Sequence, residues 1–578
     1  MTLALHGVAV SRGVAIGRVH LLRRDALDID EVTLEAQMIE AEVARFDAAI
    51  ATARAQLADV RDRIPASTKS NIASFIDTHI LMLEDPAIVE ETRATIRERG
   101  CNAEWALKVG ADAIIAVFDE MEDAYLKTRR DDVQHVVDRI QRVLRNHQPV
   151  EQALARRALT GTVIVADDLT PADTALLDTE RVAAFATEYG GPTSHTAIIA
   201  RSLNLPSVVG LHELVRYAKP GDEVVIDGDA GVLLLNPDPE IRNFYQAKKA
   251  KILRHRTVLR DLTDRPAITR DGIAVTLNAN VELPGDFDAA ERYRADGVGL
   301  YRTEFLYMNR SEGLPDEDEH FAAYAALIAK VKGKPVTIRT VDLGADKPLD
   351  AASTQHAVNP ALGLRAVRLC LKEVDLFRPQ VKAILRASAL GPVKLMVPML
   401  SSLAELERVF ALIAEARAEL AEAGEAFDPR MPIGGMVEVP AAAVCADAFA
   451  AKLDFLSIGT NDLIQYTMAI DRVDDQVSYL YDPLNLGVLR LVQTTIEAGN
   501  HAGIPVAMCG EMAGDPRYVQ LLLAMGLREF SVHPNTLLEV KKLVRATSVA
   551  QLATRVNAAI RSRDPEEIRR VVERLDEA

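Results

Sequence analysis

The sequence predicts a multidomain α/β protein in which a small α/β domain, interrupted by an inserted helical bundle, is followed by a (β/α)8 barrel of the TIM type. Three observations predict this architecture. Short apolar segments separated by Gly turns occur up to about Leu22 and resume at the segment TGTVIVADDLTPADTALL. Long stretches with apolar residues three and four positions apart fill the interval between them. Beyond about Ala267, eight short apolar segments alternate with helix-length segments.

The composition is that of a globular protein with several cores. The 578 residues are 49% hydrophobic and 26% charged, and a chain of this length usually divides into about two to four domains. The net charge of −17 argues against nucleic acid or an anionic membrane as a partner and leaves room for a basic protein partner. An anionic substrate would then need a local cluster of Arg or Lys.

Cysteine usage and the N-terminal sequence indicate a reducing compartment. Cys101, Cys370, Cys445 and Cys509 are far apart and form no C-x-x-C pair, so neither a disulfide framework nor a zinc site is expected. The N-terminus lacks a basic segment followed by an unbroken apolar core, and no apolar run approaches the length that spans a bilayer. We therefore expect a cytoplasmic protein.

The most informative stretch of the small α/β domain is GGPTSHTAIIARSLNLPSVVG. Gly190 and Gly191 allow a tight turn. Thr193 and Ser194 favour the N-cap position, and the segment TAIIARSL is typical of an amphipathic helix. His195 then falls in the first helical turn, where unpaired N–H groups and the helix dipole would stabilise a phosphoryl group on the imidazole. The alternative is a histidine that only hydrogen-bonds within a capping turn.

Changes in pattern predict the domain boundaries. We expect the α/β domain at 1–24 and 151–236, the helical insertion at 25–150, a linker helix at 237–266 and the barrel at 267–578. The linker contains a strongly basic helical run from Asp238 to Leu262, closed by the breaker Asp264-Arg265-Pro266. A DNA-binding helix is the alternative, which is disfavoured because the rest of the chain is acidic and no nucleic-acid module surrounds it.

The apolar segments of the C-terminal half predict the strands of the barrel. In order they are IAVTLNAN, GVGLYR, PVTIRTVDL, VKLMVPM, IGGMVEV, FLSIGT, PVAMCG and EFSV. Active sites of (β/α)8 barrels lie at the carboxyl ends of the strands. The polar and reactive residues that fall there are Arg302, Arg339, Asp342, Glu438, Asn461, Asp462 and Cys509.

Structural roles are possible for several of these residues. Arg302 could pair with Glu304, and Arg339 with Asp342, as ordinary ion pairs. Glu438 is different, because it interrupts the apolar run GGMVEVPAAAV. A carboxylate in such a run is rarely buried without a cation, a metal or a hydrogen-bond network.

Two further residues suggest a metal and a proton donor. Asp462 follows another predicted strand, so it and Glu438 can converge on one hard divalent cation such as Mg²⁺. Cys509 would by default be a small buried hydrophobic residue. At a barrel mouth lined with Arg and a metal, its thiol is also a candidate proton donor.

The chain resembles enzyme I of the bacterial phosphoenolpyruvate:sugar phosphotransferase system over essentially its whole length. The resemblance rests on the motifs GGPTSHTAIIARSLNLPSVVG, GVGLYRTEFLYM, TIRTVDLGADKPL, NPALGLRAVR, MVEVPAAA, FLSIGTNDLIQYTMAIDR and MCGEMAGD. In one departure, the chain has Pro192 where the family commonly has an Arg that contacts the phosphoryl group.

The resemblance implies a reaction. Phosphoenolpyruvate would phosphorylate His195 at Nε2 and leave as pyruvate, and the phosphoryl group would pass to the carrier protein HPr in the first step of sugar uptake. The resemblance assigns phosphoenolpyruvate to Arg302, Arg339, Asn461, Asp462 and Arg472. It assigns Mg²⁺ to Glu438 and Asp462, and the protonation of enolpyruvate to Cys509.

The resemblance also implies roles for the domains. The α/β domain would be a swivelling phosphohistidine domain, with hinges around Asn236-Pro237 and in the basic helix up to Pro266. The barrel would form a homodimer, and the helical insertion would dock HPr. On the alternative reading, the acidic opening of the insertion is only a solvated start of a helix. The residues of this opening are Asp25, Asp28, Asp30, Glu31 and Glu35.

Three related functions remain as alternatives. A pyruvate phosphate dikinase or phosphoenolpyruvate synthase would need a large nucleotide-binding domain, and the sequence has no P-loop. A nitrogen-type enzyme I would carry a sensor domain ahead of the first strand. A non-catalytic sensor of phosphoenolpyruvate could keep the Arg cluster but would have no need of His195 and Cys509 together.

Overall fold

The computed structural model describes residues 2–22, 29–64, 69–119, 124–146, 160–175, 181–191, 194, 196–197, 200, 205–282, 284–307, 313–343, 361–472, 474 and 476–575. The chain divides into two compact units, Met1–Arg256 and Thr257–Ala578. The predicted fold class is confirmed, because the first unit combines a mixed sheet with a helical insertion and the second contains a closed barrel of parallel strands. Within these described ranges, no helix has the length and apolar character needed to cross a bilayer.

The sheet of the first unit takes its strands from both sides of the insertion. The strands are β1 (Leu3–His6), β2 (Val8–Ser11), β3 (Val14–Leu22), β4 (Thr162–Ala166), β5 (Val182–Thr187), β6 (Ser207–Val209), β7 (Glu223–Asp227) and β8 (Val232–Leu235). Their order is β1-β8-β7-β3-β4-β5-β6-β2. Because β3 pairs in parallel with β4, the last strand before the insertion and the first one after it are neighbours. The insertion can therefore leave and rejoin the sheet without disturbing its order.

The insertion is a helical bundle. Its helices are α1 (Ile39–Arg63), α2 (Lys69–Met82), α3 (Pro86–Arg99), α4 (Ala103–Asp119) and α5 (Ala124–Leu144). Local sequence signals define both ends of α3. The Asp85 side chain accepts a hydrogen bond from the backbone N–H of Ala87, Pro86 occupies the first helical position, and Gly100 ends the helix with a φ of 58°.

Among the described residues of the first unit, three helices with defined bounds accompany or follow the sheet. They are α6 (Pro171–Ala175), α7 (Leu214–Tyr217) and α8 (Pro239–Arg260). The basic run predicted to be helical forms α8, and Lys248 on this helix pairs with the buried carboxylate of Asp227 at the end of β7. The ion pair ties α8 to the sheet, so part of the positive charge of this helix has an intramolecular role.

The second unit forms the predicted barrel, and each predicted segment overlaps one of its strands. They are β9 (Thr276–Val281), β10 (Val298–Tyr301), β11 (Val336–Arg339), β12 (Val393–Val397), β13 (Ile433–Val437), β14 (Phe455–Ile458), β15 (Val506–Met508) and β16 (Glu529–Val532). All neighbouring pairs are parallel, and β9 closes the barrel by pairing with both β10 and β16. The carboxyl ends of the strands therefore converge on one face.

Helices surround the barrel. They are α9 (Pro284–Arg292), α10 (Glu317–Val331), α11 (Ala366–Lys372), α12 (Val374–Ser388), α13 (Leu403–Ala423), α14 (Pro440–Val444), α15 (Ala446–Ala450), α16 (Thr460–Met468), α17 (Leu486–Ala502), α18 (Glu511–Gly514), α19 (Pro516–Ala524), α20 (Leu537–Ala546), α21 (Val549–Arg561) and α22 (Pro565–Glu573). A capping box formed by Ser402 and Glu405 begins α13, and Gly424 ends it with a φ of 72°.

Candidate active site

An arginine–carboxylate cluster lies at the ends of β10 and β11. Arg339, the last residue of β11, places Nη2 3.0 Å from Glu304 Oε1 and Nη1 3.3 Å from Asp342 Oδ2. Arg365 places its Nη2 2.9 Å from the other oxygen of Asp342. Burial alone would lower the pKa of Arg339, but the carboxylates of Glu304, Asp342 and Glu438 outweigh it and raise that pKa. The guanidinium is therefore permanently charged.

Arg339 keeps one donor without an acceptor. The residue is only 9% exposed, and within the described parts of the barrel its Nε has no hydrogen-bond partner. Burial would raise the pKa of Asp342, but Arg339 and Arg365 lower it, so this carboxylate stays ionised. Because an unsatisfied buried N–H is costly, the free donor of Arg339 is suited to an anion that enters the barrel.

Arg302 takes a different partner from the one considered above. Its Nη1 lies 3.1 Å from Glu282 Oε2, whereas Glu304 binds Arg339 instead. The reason is the strand order: β10 lies beside β9, and the backbone N–H of Arg302 donates to Val281, next to Glu282. The suggested Arg302–Glu304 pair is therefore wrong, whereas the suggested pairing of Arg339 with Asp342 is observed.

Glu438 and Asp462, the two residues expected to hold a divalent cation, follow the neighbouring strands β13 and β14. Glu438 is 1% exposed and accepts a hydrogen bond of 2.6 Å from the backbone N–H of Met399. Burial, with the nearby carboxylates of Asp462 and Asp342, raises the pKa of Glu438 to about 8. Gly459 allows close packing here, since a Cβ at that position would lie 2.7 Å from Glu438 Oε2.

The closeness of these carboxylates is relevant to the expected magnesium site, because their negative charges repel one another. Crowded carboxylates ionise readily only when a cation is present, and carboxylate oxygens are ligands that Mg²⁺ prefers. In the described part of the chain, no group of three or more His, Cys, Asp or Glu side chains is arranged to hold a metal. A Mg²⁺ ion held by Glu438 and Asp462 alone would need its remaining ligands from substrate and water, as this ion commonly has.

The two remaining residues assigned to the substrate differ in their surroundings. Asn461 donates to the Glu511 carboxylate over 3.1 Å and accepts from the Glu511 backbone N–H over 2.9 Å, so both ends of its amide hold α16 to α18. Arg472 is exposed and places Nη1 4.0 Å from Asp462 Oδ1. Arg472 therefore lies beside Asp462, whereas the amide of Asn461 is bonded to the neighbouring helix.

Cys509 lies directly after β15 in a mostly apolar pocket. It is 5% exposed, and the Ser457 hydroxyl lies 3.3 Å from its sulfur. Burial raises the pKa of the thiol, which the Ser457 hydrogen bond and Arg339 lower to a smaller extent. The thiol is therefore protonated and can give up a proton. The apolar residues clustered with it are Leu300, Met396, Met436 and Phe455.

His195 itself lies outside the described residues, as do Pro192 and Thr193. The predicted cap is confirmed, because the Ser194 hydroxyl accepts a hydrogen bond of 3.3 Å from the backbone N–H of Ala197. Gly190 has a φ of 111°, as a glycine-dependent turn requires.

The residue that follows His195 is tied to the helical insertion. Thr196 donates to Asp168 Oδ1 over 3.1 Å, and Asp168 Oδ2 lies 3.0 Å from Nε2 of His135 on α5. The sheet and the insertion are therefore connected close to the histidine-bearing segment.

The acidic opening of the insertion is only partly described. Asp25 and Asp28 lie outside the described residues, whereas Asp30, Glu31 and Glu35 are exposed ahead of α1. Their exposure is compatible with a docking surface and with an ordinary solvated segment.

Sequence reasoning missed Arg365 and Glu304 as members of the cluster. Arg365 immediately precedes α11, well beyond the end of β11, so its position in the sequence does not mark it as a residue of the barrel mouth. It does belong to the motif NPALGLRAVR, which was the one available signal. Glu304 was considered only as a partner for Arg302.

The chain matches three family models of PEP-utilising enzymes. They are the N-terminal domain over residues 6–129, the mobile domain over 159–231 and the PEP-binding domain over 256–549.

Relatives named phosphoenolpyruvate-protein phosphotransferase are similar over nearly the whole chain. The protein of Cupriavidus necator is 47% identical over 575 residues, which cover 98% of each chain. That of Geobacillus stearothermophilus is 42% identical, covering 94% of this chain and 93% of its own. That of Staphylococcus carnosus is 39% identical and covers 99% of both chains.

Proposed function

The chain belongs to the family of phosphoenolpyruvate-protein phosphotransferases, also called enzyme I, and from this premise we propose that phosphoenolpyruvate phosphorylates it on His195. Phosphotransfer from phosphoenolpyruvate is the activity that the relatives' name describes. The observation that carries the proposal is the pairing of two features at the barrel mouth. A buried guanidinium has an unsatisfied donor, and a protonated buried thiol lies close enough for Arg339 to influence its pKa.

The arginines bind and orient the substrate. Phosphoenolpyruvate carries a carboxylate and a phosphate, and guanidinium groups recognise both through paired N–H donors. Arg339 forms ion pairs with Glu304 and Asp342, so its guanidinium is already positioned before the substrate binds. Arg302 and Arg472 are more exposed, and they reach the substrate by exchanging the carboxylates of Glu282 and Asp462 for its oxygens.

Glu438 and Asp462 would hold Mg²⁺. When bound, this ion neutralises negative charge on phosphoryl oxygens. The role of the two residues is to supply anionic oxygens in a place that excludes water, as the burial of Glu438 supports. Asn461 would then orient α16, which carries Asp462, through its bonds to Glu511.

The reaction consists of a phosphoryl transfer and a protonation. The His195 Nε2 lone pair forms a bond to phosphorus while the bond from phosphorus to the enol oxygen breaks. The electron pair of that bond stays on the oxygen and gives the enolate of pyruvate, whose terminal carbon accepts the thiol proton of Cys509 to become the methyl group of pyruvate. Solvent then returns a proton to the thiolate. Such transfers depend mainly on positioning and charge stabilisation, which the arginines supply.

We further propose HPr as the acceptor of the phosphoryl group, docking on the helical insertion. The barrel would form a homodimer, and the protein would begin phosphotransferase-system sugar uptake in the cytoplasm. The exposed acidic segment ahead of α1 and the net charge of −17 support a basic protein partner. The separation of the chain into two compact units supports a mechanism in which the histidine visits two partners in turn.

Labelled phosphoenolpyruvate tests the proposal. The full chain is incubated with phosphoenolpyruvate labelled in its phosphoryl group and Mg²⁺, and acid-labile label is mapped by proteolysis. We expect label on His195 without ATP, none on His195→Ala, and transfer to added HPr. Label on another residue, or label that requires ATP, would contradict the assignment.

A further inference from the structure

A network of buried hydrogen bonds lies behind the arginine cluster. Its centre is Gln380 on α12, which is completely buried. The amide nitrogen donates to the hydroxyl of Thr303 over 3.0 Å and to that of Tyr324 over 3.3 Å. The amide oxygen accepts from the backbone N–H of Val341 over 2.9 Å. Both donors and the acceptor of this amide are therefore used.

The partners of the amide belong to the two segments that carry the predicted substrate residues. Thr303 directly follows Arg302, and its hydroxyl donates to the backbone carbonyl of Arg339 over 3.0 Å. Val341 lies one residue before Asp342, which holds the Arg339 guanidinium. One side chain from an outer helix thus connects the segment after β10 to the segment after β11.

The network also reaches Tyr307, at the end of the short helix that begins with Glu304, a carboxylate partner of Arg339. The hydroxyl of Tyr324 lies 3.1 Å from His320 Nδ1, and His320 Nε2 lies 3.2 Å from the hydroxyl of Tyr307. Tyr307 ends the 3-10 helix that begins at Glu304. That helix is consequently held before its first residue by Thr303 and at its last residue by Tyr307.

The direction of the hydrogen bonds is set by the amide. Because the amide nitrogen can only donate, the hydroxyls of Thr303 and Tyr324 must accept from it. Thr303 is then able to donate to Arg339 O, and Tyr324 to His320. Burial raises the pKa of Tyr324, so this phenol keeps the proton that it donates. A carboxylate in place of the amide would reverse these directions.

We propose that Gln380 is a positioning residue for phosphoenolpyruvate binding. By holding the segments after β10 and β11 together, Gln380 sets the spacing between the Arg302 and Arg339 guanidinium groups. The inference rests on the proposed function, since it takes these two arginines as substrate ligands. The alternative is a network that only stabilises the core. The two roles differ in what they affect, because a core network alters stability and a positioning network also alters substrate affinity.

The test compares variants of buried residues that differ in their connection to the site. Gln380→Met keeps the volume and removes all three hydrogen bonds, and Gln380→Glu reverses the donor end. Val492→Ala is the control, since Val492 is fully buried on α17 and has no part in the network. For each full-length variant, KM for phosphoenolpyruvate, kcat for pyruvate release and thermal unfolding are measured.

We expect both Gln380 variants to raise KM about tenfold or more, the scale of one lost buried hydrogen bond, with a smaller change in kcat. Val492→Ala should lower the unfolding temperature and leave KM unchanged. Lower stability of Gln380→Met with a wild-type KM would overturn the inference, as would an equal rise in KM for Val492→Ala.

A second pair of variants keeps the test decisive where Gln380 variants fail to fold. Thr303→Ser retains the hydroxyl and should keep KM near the wild-type value, whereas Thr303→Val removes it and should raise KM. Equal KM values for the two would overturn the inference. Arg339→Lys separates this result from the proposed function: if KM is unchanged in that variant, the substrate assignment itself is wrong. If Arg339→Lys raises KM and neither Gln380→Met nor Thr303→Val does, only the positioning role is wrong.

Discussion

Replacing Cys509 by Ala should abolish most turnover while leaving the protein folded and able to bind phosphoenolpyruvate. General acid catalysis contributes about 10²- to 10⁴-fold, which corresponds to about 3–5 kcal/mol at about 1.36 kcal/mol for each factor of ten. The cost in stability is smaller. Losing one buried sulfur atom and the hydrogen bond from Ser457 amounts to about 1–2 kcal/mol, against a typical stability of about 5–15 kcal/mol.

The difference between these magnitudes makes the experiment decisive, because a destabilisation of this size leaves nearly all molecules folded. Pyruvate release in a single turnover measures the chemical step, and calorimetric titration with phosphoenolpyruvate measures binding. Cys101→Ala is the matched control, since Cys101 is also a buried thiol and lies in the helical insertion. We expect wild-type turnover for Cys101→Ala and intact binding for both variants. Normal pyruvate release by Cys509→Ala would refute the reasoning and leave Cys509 as a packing residue.

Three other perturbations address the metal, the insertion and the division of labour. Glu438→Gln should move the Mg²⁺ titration of pyruvate release to about tenfold higher concentration or beyond, as expected for a lost carboxylate ligand; an unchanged titration would show that Glu438 is structural. Burial lowers the pKa of His79 more than Asp132 raises it. The unfolded chain therefore takes up this proton first, and stability should fall as pH drops below about 6.5 until the lower folded pKa is reached. Trp105, the only tryptophan of the chain, reports urea unfolding of the insertion, and His79→Gln should show a shallower slope; equal slopes would contradict the assignment. A fragment ending at Arg256 should fold alone and exchange phosphoryl groups with phosphorylated HPr; its direct phosphorylation by phosphoenolpyruvate would place the substrate site in the wrong unit.

The barrel was predictable because each of its strands leaves a local signal. A buried parallel strand is a short apolar run, and the residues at its carboxyl end or just after it face the barrel mouth. That rule located Arg302, Arg339, Glu438 and Cys509 without any knowledge of their partners. The inserted bundle was predictable for a similar reason, because helical periodicity begins where the strand pattern stops and ends where that pattern resumes.

The partnerships were not predictable, because they depend on distances between segments far apart in the chain. Arg302 has Glu304 two positions away but binds Glu282, which the neighbouring strand brings closer. Gln380 sits in an unremarkable helical segment, and nothing in its local sequence indicates that its amide faces the segments after β10 and β11. Such contacts follow from the closure of the barrel, which sequence periodicity does not encode in detail.

The charge arrangement at the barrel mouth explains why the proposed function includes a divalent cation. Each described guanidinium of the site already faces a carboxylate, so the arginines provide no surplus of positive charge. The pairs are Arg302 with Glu282, Arg339 with Glu304 and Asp342, Arg365 with Asp342, and Arg472 with Asp462. Burial, together with the carboxylates of Asp462 and Asp342, raises the pKa of Glu438 to about 8, so a further negative charge is disfavoured at this position. A substrate with a carboxylate and a phosphate adds further negative charge to such a site, and in the proposed function a cation held by Glu438 and Asp462 would compensate for it.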